Sequence, residues 1–419
     1  MTADLLRQVR ILDPVSNTDR TADVLIIDGV IQSVESEITE FPSKAEMRDG
    51  TGLILGTGLI DLYSHSGEPG FENRETLDSL TQAAISGGFT RLALLPDTLP
   101  AVDNPAAVAW FRAQAQKRSV PQVLNWGALT LDVKGEQMAE LVELAEAGII
   151  GFADGQPIQS RILLRRVLEY AQACSKPIAL WCCDKELTGN GVVREGDESM
   201  RLGLPGSPTY SETAPLAALL ECVATIGTSV HLMRISTARS VELIRAAKAQ
   251  GIPVTASTTW MHLLLNITAV RSYDPGLHVA PPLGNPTDQS ALIQAIKDGV
   301  LDGIAIDHSP FTYEEKTVAF AESPAGAIGL ELALPLLWHG LVESGELSAL
   351  DLWRALSTQP AHCLRQPPAT IASGQPAELI LFDPQQSWQV TPQTLKSRSS
   401  NTPWLGQEIR GRVIKTWAS

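Results

Sequence analysis

Two kinds of hydrophobic pattern divide the chain. Val9–Leu12, Asp23–Ile27, Val30–Val34 and Leu53–Leu55 are short runs rich in Val, Ile and Leu, separated by turn residues such as Asp28-Gly29. They predict strands and tight turns over residues 1–55. The far end looks alike, with Glu378–Phe382 and then Ile409, Val413 and Ile414 set among polar neighbours. Two β-rich ends around a different middle predict one small β-sandwich domain made from residues 1–55 and 366–419.

Between them the rhythm changes. Gly58–Asp61, Arg91–Leu95, Val123–Ala128, Ile149–Phe152, Pro177–Leu180, Ser229–Met233, Ile252–Thr255 and Gly303–Ile306 read as buried strands. Most alternate with amphipathic stretches of helical period: Leu77–Ser86, Gly135–Ala147, Arg161–Cys174, Ala214–Thr225, Val241–Gln250 and Gln289–Asp298. Strand then helix, repeated about eight times, is the pattern of a closed (β/α)8 barrel of the TIM type. The expected fold is therefore α/β, with the barrel over residues 56–365. In such a barrel the chemistry sits on the loops that follow the strands.

Composition narrows the classes. The 419 residues are 44% hydrophobic and 19% charged, enough for a large core and against disorder. A formal net charge of −15, with no Lys/Arg-rich run, argues against nucleic acid or an anionic membrane surface as partner. No apolar run reaches the roughly 18–20 residues of a membrane span. Ala327–Leu337 comes nearest and is broken by Glu331 and Pro335. Met1–Leu12 carries Asp4, Arg7 and Arg10 and no signal-peptide core, so a cytoplasmic protein is expected. The five cysteines have no zinc-type spacing, and there are only seven histidines. Any metal centre must come from those histidines and from carboxylates.

The strand ends hold the candidates. Tyr63 and His65 are two residues apart on one strand, so they share a face toward the barrel mouth. Pro96-Asp97-Thr98, Phe152-Ala153-Asp154-Gly155, Trp181-Cys182-Cys183-Asp184, Arg234-Ile235-Ser236-Thr237 and Ile306-Asp307-His308-Ser309-Pro310-Phe311 end other strands. His65, Asp154 and Asp307 among these can bind metal.

This arrangement resembles the amidohydrolase superfamily and, within it, the dihydroorotase family of the multifunctional-enzyme type. The landmarks span the chain: Gly58-Leu59-Ile60-Asp61, Glu68-Pro69-Gly70, Ser86-Gly87-Gly88-Phe89-Thr90, Phe152 to Gly155, Ile235-Ser236-Thr237, Pro281-Pro282-Leu283, Asp307-His308-Ser309-Pro310 and Asn401-Thr402-Pro403-Trp404. The resemblance implies a zinc centre that interconverts carbamoyl aspartate and dihydroorotate. Metal-bound water supplies hydroxide near neutral pH and a carboxylate moves the proton. The family builds the centre from a His-x-His pair, a bridging Asp, two further His and a final acid/base Asp. The matching residues here are Tyr63 and His65, Asp154, Trp181, Arg234 and Asp307. Three of the six ligand positions, Tyr63, Trp181 and Arg234, are thus replaced. Tryptophan has no ligating lone pair and arginine is a permanent cation. The four substrate positions that can be placed are replaced as well: Gly67 for an Arg, Asp97 and Ala280 for Asn, and Phe311 for a His.

The resemblance therefore implies a dihydroorotase-like protein whose machinery is dismantled. His65, Asp154 and Asp307 are relic metal ligands, and Asp307 a relic acid/base. No cofactor is expected. Such inactive homologues act as structural or regulatory partners, with aspartate carbamoyltransferase the implied partner and a homo-oligomer the expected state. The alternative is an active cyclic-amide hydrolase with a remodelled, mononuclear zinc site at His65, Asp154 and Asp307. Locally, Arg234 is expected to occupy the vacated metal space and pair with Asp307, Asp154 or both, the alternative being Arg234 turned to solvent. Trp181 reads as a plug, Cys182 and Cys183 as buried thiols, and His308 as a group that orients Asp307. Gly87-Gly88 reads as a close helix–strand approach.

Overall fold

The computed structural model describes residues 2–115 and 121–418. Among these, eight parallel strands form the barrel: Leu59–Ser64, Phe89–Leu94, Gln122–Gly127, Gly151–Phe152, Ile178–Trp181, Val230–Met233, Val254–Thr259 and Gly303–Ala305. They pair in chain order, and the last meets the first through Asp307 N–H to the Tyr63 carbonyl (3.1 Å) and His65 N–H to the His308 carbonyl (2.9 Å). Asp61, fully buried, braces this seam by accepting from Ile306 N (2.8 Å) and Ser64 Oγ (2.5 Å). Burial pushes its pKa up to about 7 despite those donors.

The interior is filled by unequal side chains. Trp126 packs with Ala93, Ala153, Ala179 and Ala305, and its indole N–H donates to the Leu62 carbonyl (2.9 Å). One large ring set among small neighbours is how unequal side chains share a barrel interior. Helices cover the outside, as Leu77–Ser86 shows. Thr76 caps it, and Leu77, Leu80, Ala83 and Ala84 form its buried stripe. At its end a Cβ on Gly87 would lie 1.9 Å from the Leu330 carbonyl oxygen, in a turn and not the strand expected there, while one on Gly88 would lie 2.9 Å from Ile380 and 3.3 Å from Val413, both strand residues.

Both termini build one seven-stranded sheet among the described residues, in the order Glu408–Trp417, Leu379–Gln389, Ile54–Thr57, Ala3–Asp13, Thr18–Ile27, Val30–Glu35, with Glu46–Asp49 added on Ala3–Asp13. Leu6, Val9 and Ile11 pack in one cluster and Leu5 with Leu25 and Ile38 in another. Neighbouring strand residues point to opposite faces, so the sheet is buried on both. Arg91 ties it to the barrel through a two-pronged pair with Glu378 (2.8 and 2.6 Å). The C-terminal segment also returns to the barrel mouth. Asn401 donates to the Ser309 carbonyl (2.9 Å) and accepts from Phe311 N (3.1 Å), while Trp404 packs on Trp260 with ring centres 5.1 Å apart. No helix among the described residues is long and apolar enough to cross a membrane.

Candidate functional site

A cavity of about 350 Å³ opens at the C-terminal ends of the strands. His65, Asp97, Trp181, Arg234 and Asp307, each carried just past or at the end of a different strand, line one side. Phe71, Arg74, Trp260, Met261 and Phe311 line the other.

Arg234 organises the polar side. Its side chain is 4% exposed. Nε and Nη2 grip Asp307 at 2.8 and 2.6 Å, and Nη1 donates to the Gly155 carbonyl at 2.8 Å. The guanidinium carbon lies 4.8 Å from the Trp181 ring centre and 5.7 Å from that of Tyr63. Arg234 and Asp307 both take left-handed backbone angles, φ 55° and 53°. Each costs on the order of 1 kcal/mol, held by the contacts that aim the two side chains at one another. Burial opposes ionisation of Asp307, but Arg234, with His65, holds its pKa far below the usual carboxylate range. Arg234 is correspondingly raised by Asp307 against its burial.

His65 lies between two acids. Nδ1 is 2.5 Å from Asp97 Oδ2; Nε2 is 3.6 Å from Asp307 Oδ1 and 3.2 Å from Arg234 Nη2. Burial works against the imidazolium, but Asp97 and Asp307 outweigh it and raise the pKa to about 9. Asp97 thus has its charge committed to His65, which in turn helps to hold its pKa down against burial.

Tyr63 is fully buried beneath the cavity, its hydroxyl 3.0 Å from Ser257 Oγ and accepting from Arg234 N at 3.0 Å. It fixes the backbone of the residue that carries the guanidinium. Asp154 is not brought to the cavity. Its carboxylate, 2% exposed, accepts from Leu129 N (2.7 Å), Thr130 N (3.1 Å) and Thr130 Oγ1 (2.6 Å). Burial raises its pKa to about 6 in spite of those bonds. Arg234 therefore pairs with Asp307 alone.

The expectation that His308 orients Asp307 needs correction. Its Nδ1 accepts from Gly329 N (3.2 Å) and its Nε2 lies 3.3 Å from Glu75 Oε2. His308 is held by these partners and is not among the residues that line the cavity. The four positions that the resemblance pairs with substrate contacts, Gly67, Asp97, Ala280 and Phe311, all line the cavity. At Gly67 a Cβ would fall 2.2 Å from the Glu75 carbonyl oxygen, so the 66–76 loop has closed over the space an arginine needs. Cys182 and Cys183 are free thiols whose pKa values burial pushes up. Sequence reasoning missed Arg74, which pairs with Glu315 (2.5 Å) and lies 4.9 Å over Phe311. Its partner is 241 residues away, and nothing local announces the contact.

The donor set does not fit a zinc centre. Both Asp307 oxygens hold the guanidinium, His65 is shared by two acids, Asp154 is turned away, and Trp181 has no lone pair to give. No group of three or more His, Cys, Asp or Glu among the described residues could hold a metal ion. The charges that line the cavity are matched locally: Arg234 with Asp307, His65 with Asp97, Arg74 with Glu315.

Comparison with known proteins gives a consistent picture. A family model described as dihydro-orotase-like matches residues 52–240. A probable dihydroorotase-like protein of Synechocystis sp. is 45% identical, the match covering 98% of each chain. A dihydroorotase of Syntrophus aciditrophicus is 36% identical over 98% of this chain and 97% of its own. Among solved structures, the L-hydantoinase of Arthrobacter aurescens superposes with a TM-score of 0.85 at 20% identity, over 100% of this chain and 97% of that one. At that identity the likeness is one of fold.

Proposed function

The chain belongs to the dihydroorotase-like family, and on that premise we propose that it is a non-catalytic member, kept as a structural or regulatory component of pyrimidine synthesis. The observation that carries this is the Arg234–Asp307 pair, a buried guanidinium where the resemblance implies a metal ligand. A fixed cation there repels a divalent ion and uses the carboxylate that would move the proton. The lost substrate contacts support the same conclusion. A charge-assisted hydrogen bond is worth roughly 1.5–3 kcal/mol, and the carboxylate-binding Arg position is Gly67. The protein acts through its surface, as a homo-oligomer and with aspartate carbamoyltransferase as partner.

Two measurements test this. Purified protein supplied with zinc is expected to show no cyclisation of carbamoyl aspartate and no hydrolysis of dihydroorotate above background. Tagged protein from its own cells is expected to retain the transferase. Zinc-dependent turnover would overturn the non-catalytic assignment in favour of a mononuclear hydrolase. Absence of the transferase from every such preparation would overturn the partner.

A further inference from the structure

Behind Trp181 lies a second, smaller cavity of about 90 Å³. Trp181, Val279 and Ala280 border both it and the main mouth. A two-stranded ribbon, Val193–Arg194 paired with Gly206–Ser207, brings Arg194 to its wall. Arg194 is 1% exposed. Its guanidinium reaches only two acceptors among the described residues, both through Nη2: Ser236 Oγ at 2.7 Å and the Pro282 carbonyl at 3.4 Å. Nε is buried without a partner, and so is the indole Nε1 of Trp181 on the same cavity.

A buried guanidinium with no ion-pair partner is an expensive arrangement that an acceptor-bearing ligand would relieve. Glu212 also borders the cavity but does not serve as that partner. It meets Arg194 only through the Ser236 hydroxyl, which donates to it at 2.5 Å. Its oxygens accept further from Ser236 N, Thr237 Oγ1 and Ser240 Oγ. The cavity thus offers unfilled donors on one side and a saturated acid on the other. We propose that it is a binding site for a singly charged carboxylate, held by the unpartnered Nε–H of Arg194 and by the Trp181 indole N–H. Glu212 sets the preference for a monoanion over a phosphate dianion, because a second negative charge beside it is repelled. The carboxylate belongs either to a small acid or to a larger ligand whose body lies in the main mouth across Ala280. The site uses one of the replaced ligand positions, Trp181, through its indole N–H, and it stands whether or not the protein is catalytic.

The test is a thermal-shift titration of the full chain at fixed ionic strength, replacing chloride by acetate, by benzoate or by phosphate. Acetate is expected to raise Tm saturably by about 2 °C over chloride. Trp181→Phe is expected to weaken acetate about tenfold, and Arg194→Gln to remove the effect. Benzoate binding more tightly than acetate assigns a ligand that extends into the mouth; equal or weaker binding assigns a small acid. A shift that never saturates, or one saturating for phosphate alone, would overturn the proposal. If Arg194→Gln does not fold, an unchanged acetate response in Trp181→Phe overturns it instead.

Discussion

Replacing Arg234 by methionine tests the physical core of the account. The change keeps roughly the length and apolar body of the side chain but removes three charge-assisted bonds, two to Asp307 and one to the Gly155 carbonyl. Breaking a buried pair from one side costs about 3–5 kcal/mol, mostly through the charge left behind. Asp307 is 14% exposed and keeps His65 at 3.6 Å, so the lower end, about 3 kcal/mol, is expected. For a chain of this size that is a fall in Tm of about 3–4 °C. Asp307→Leu alone strands the guanidinium, with a loss of similar size. The double variant Arg234→Met with Asp307→Leu removes both charges together and is expected within about 1 kcal/mol of the parent. Urea denaturation followed by tryptophan emission, with calorimetry alongside, completes the cycle. A double variant whose loss equals the sum of the singles would refute the reasoning, because it would mean the two groups do not interact.

Three further outcomes follow from the same geometry. The His65 imidazole should titrate near pH 9 by NMR, so its contribution to stability is fully present below about pH 6.5 and is lost as pH rises through 9; a value at or below 6.5 would show a neutral ring accepting from Arg234. Asp154→Ala leaves the Leu129 and Thr130 amides without an acceptor and should cost about 2–3 kcal/mol by urea midpoint, while the acetate-induced thermal shift stays unchanged. Gly87→Ala forces a methyl against the Leu330 carbonyl and should cost about 1–3 kcal/mol or more by calorimetry, whereas Gly374→Ala, strained by its φ of 81° but with nothing within 4 Å, should cost less.

The barrel was legible because each of its strands is a short apolar run closed by a turn, a signal that is local. Some strand bounds agree closely, as with Pro177–Leu180 against Ile178–Trp181 and Val123–Ala128 against Gln122–Gly127, whereas Ile252–Thr255 shares only two residues with the observed Val254–Thr259. Glu46–Asp49 escaped notice because it is a charged edge strand with no apolar run to mark it. The helix expected over Gly135–Ala147 starts only at Leu141, since Gly135 has φ 71° and the stretch before Leu141 forms a bridge with Thr130 instead. At the site, face-sharing placed Tyr63 and His65 together beneath and beside one cavity. What no local pattern contains is the choice of partner across the barrel. Asp154 is drawn off by amides of another loop, and His308 by Glu75, 233 residues away. Arg194 gave a faint signal, a charged residue directly after Val192 and Val193, which is how a buried strand position would read.

The central claim is that Arg234 stands where a metal would have to be. Elemental analysis of the full chain, purified gently and then equilibrated with zinc and desalted, measures this most directly. The account predicts essentially no retained zinc, and no increase when carbamoyl aspartate is present. About one zinc or more per chain, lost on Asp307→Asn, would contradict it.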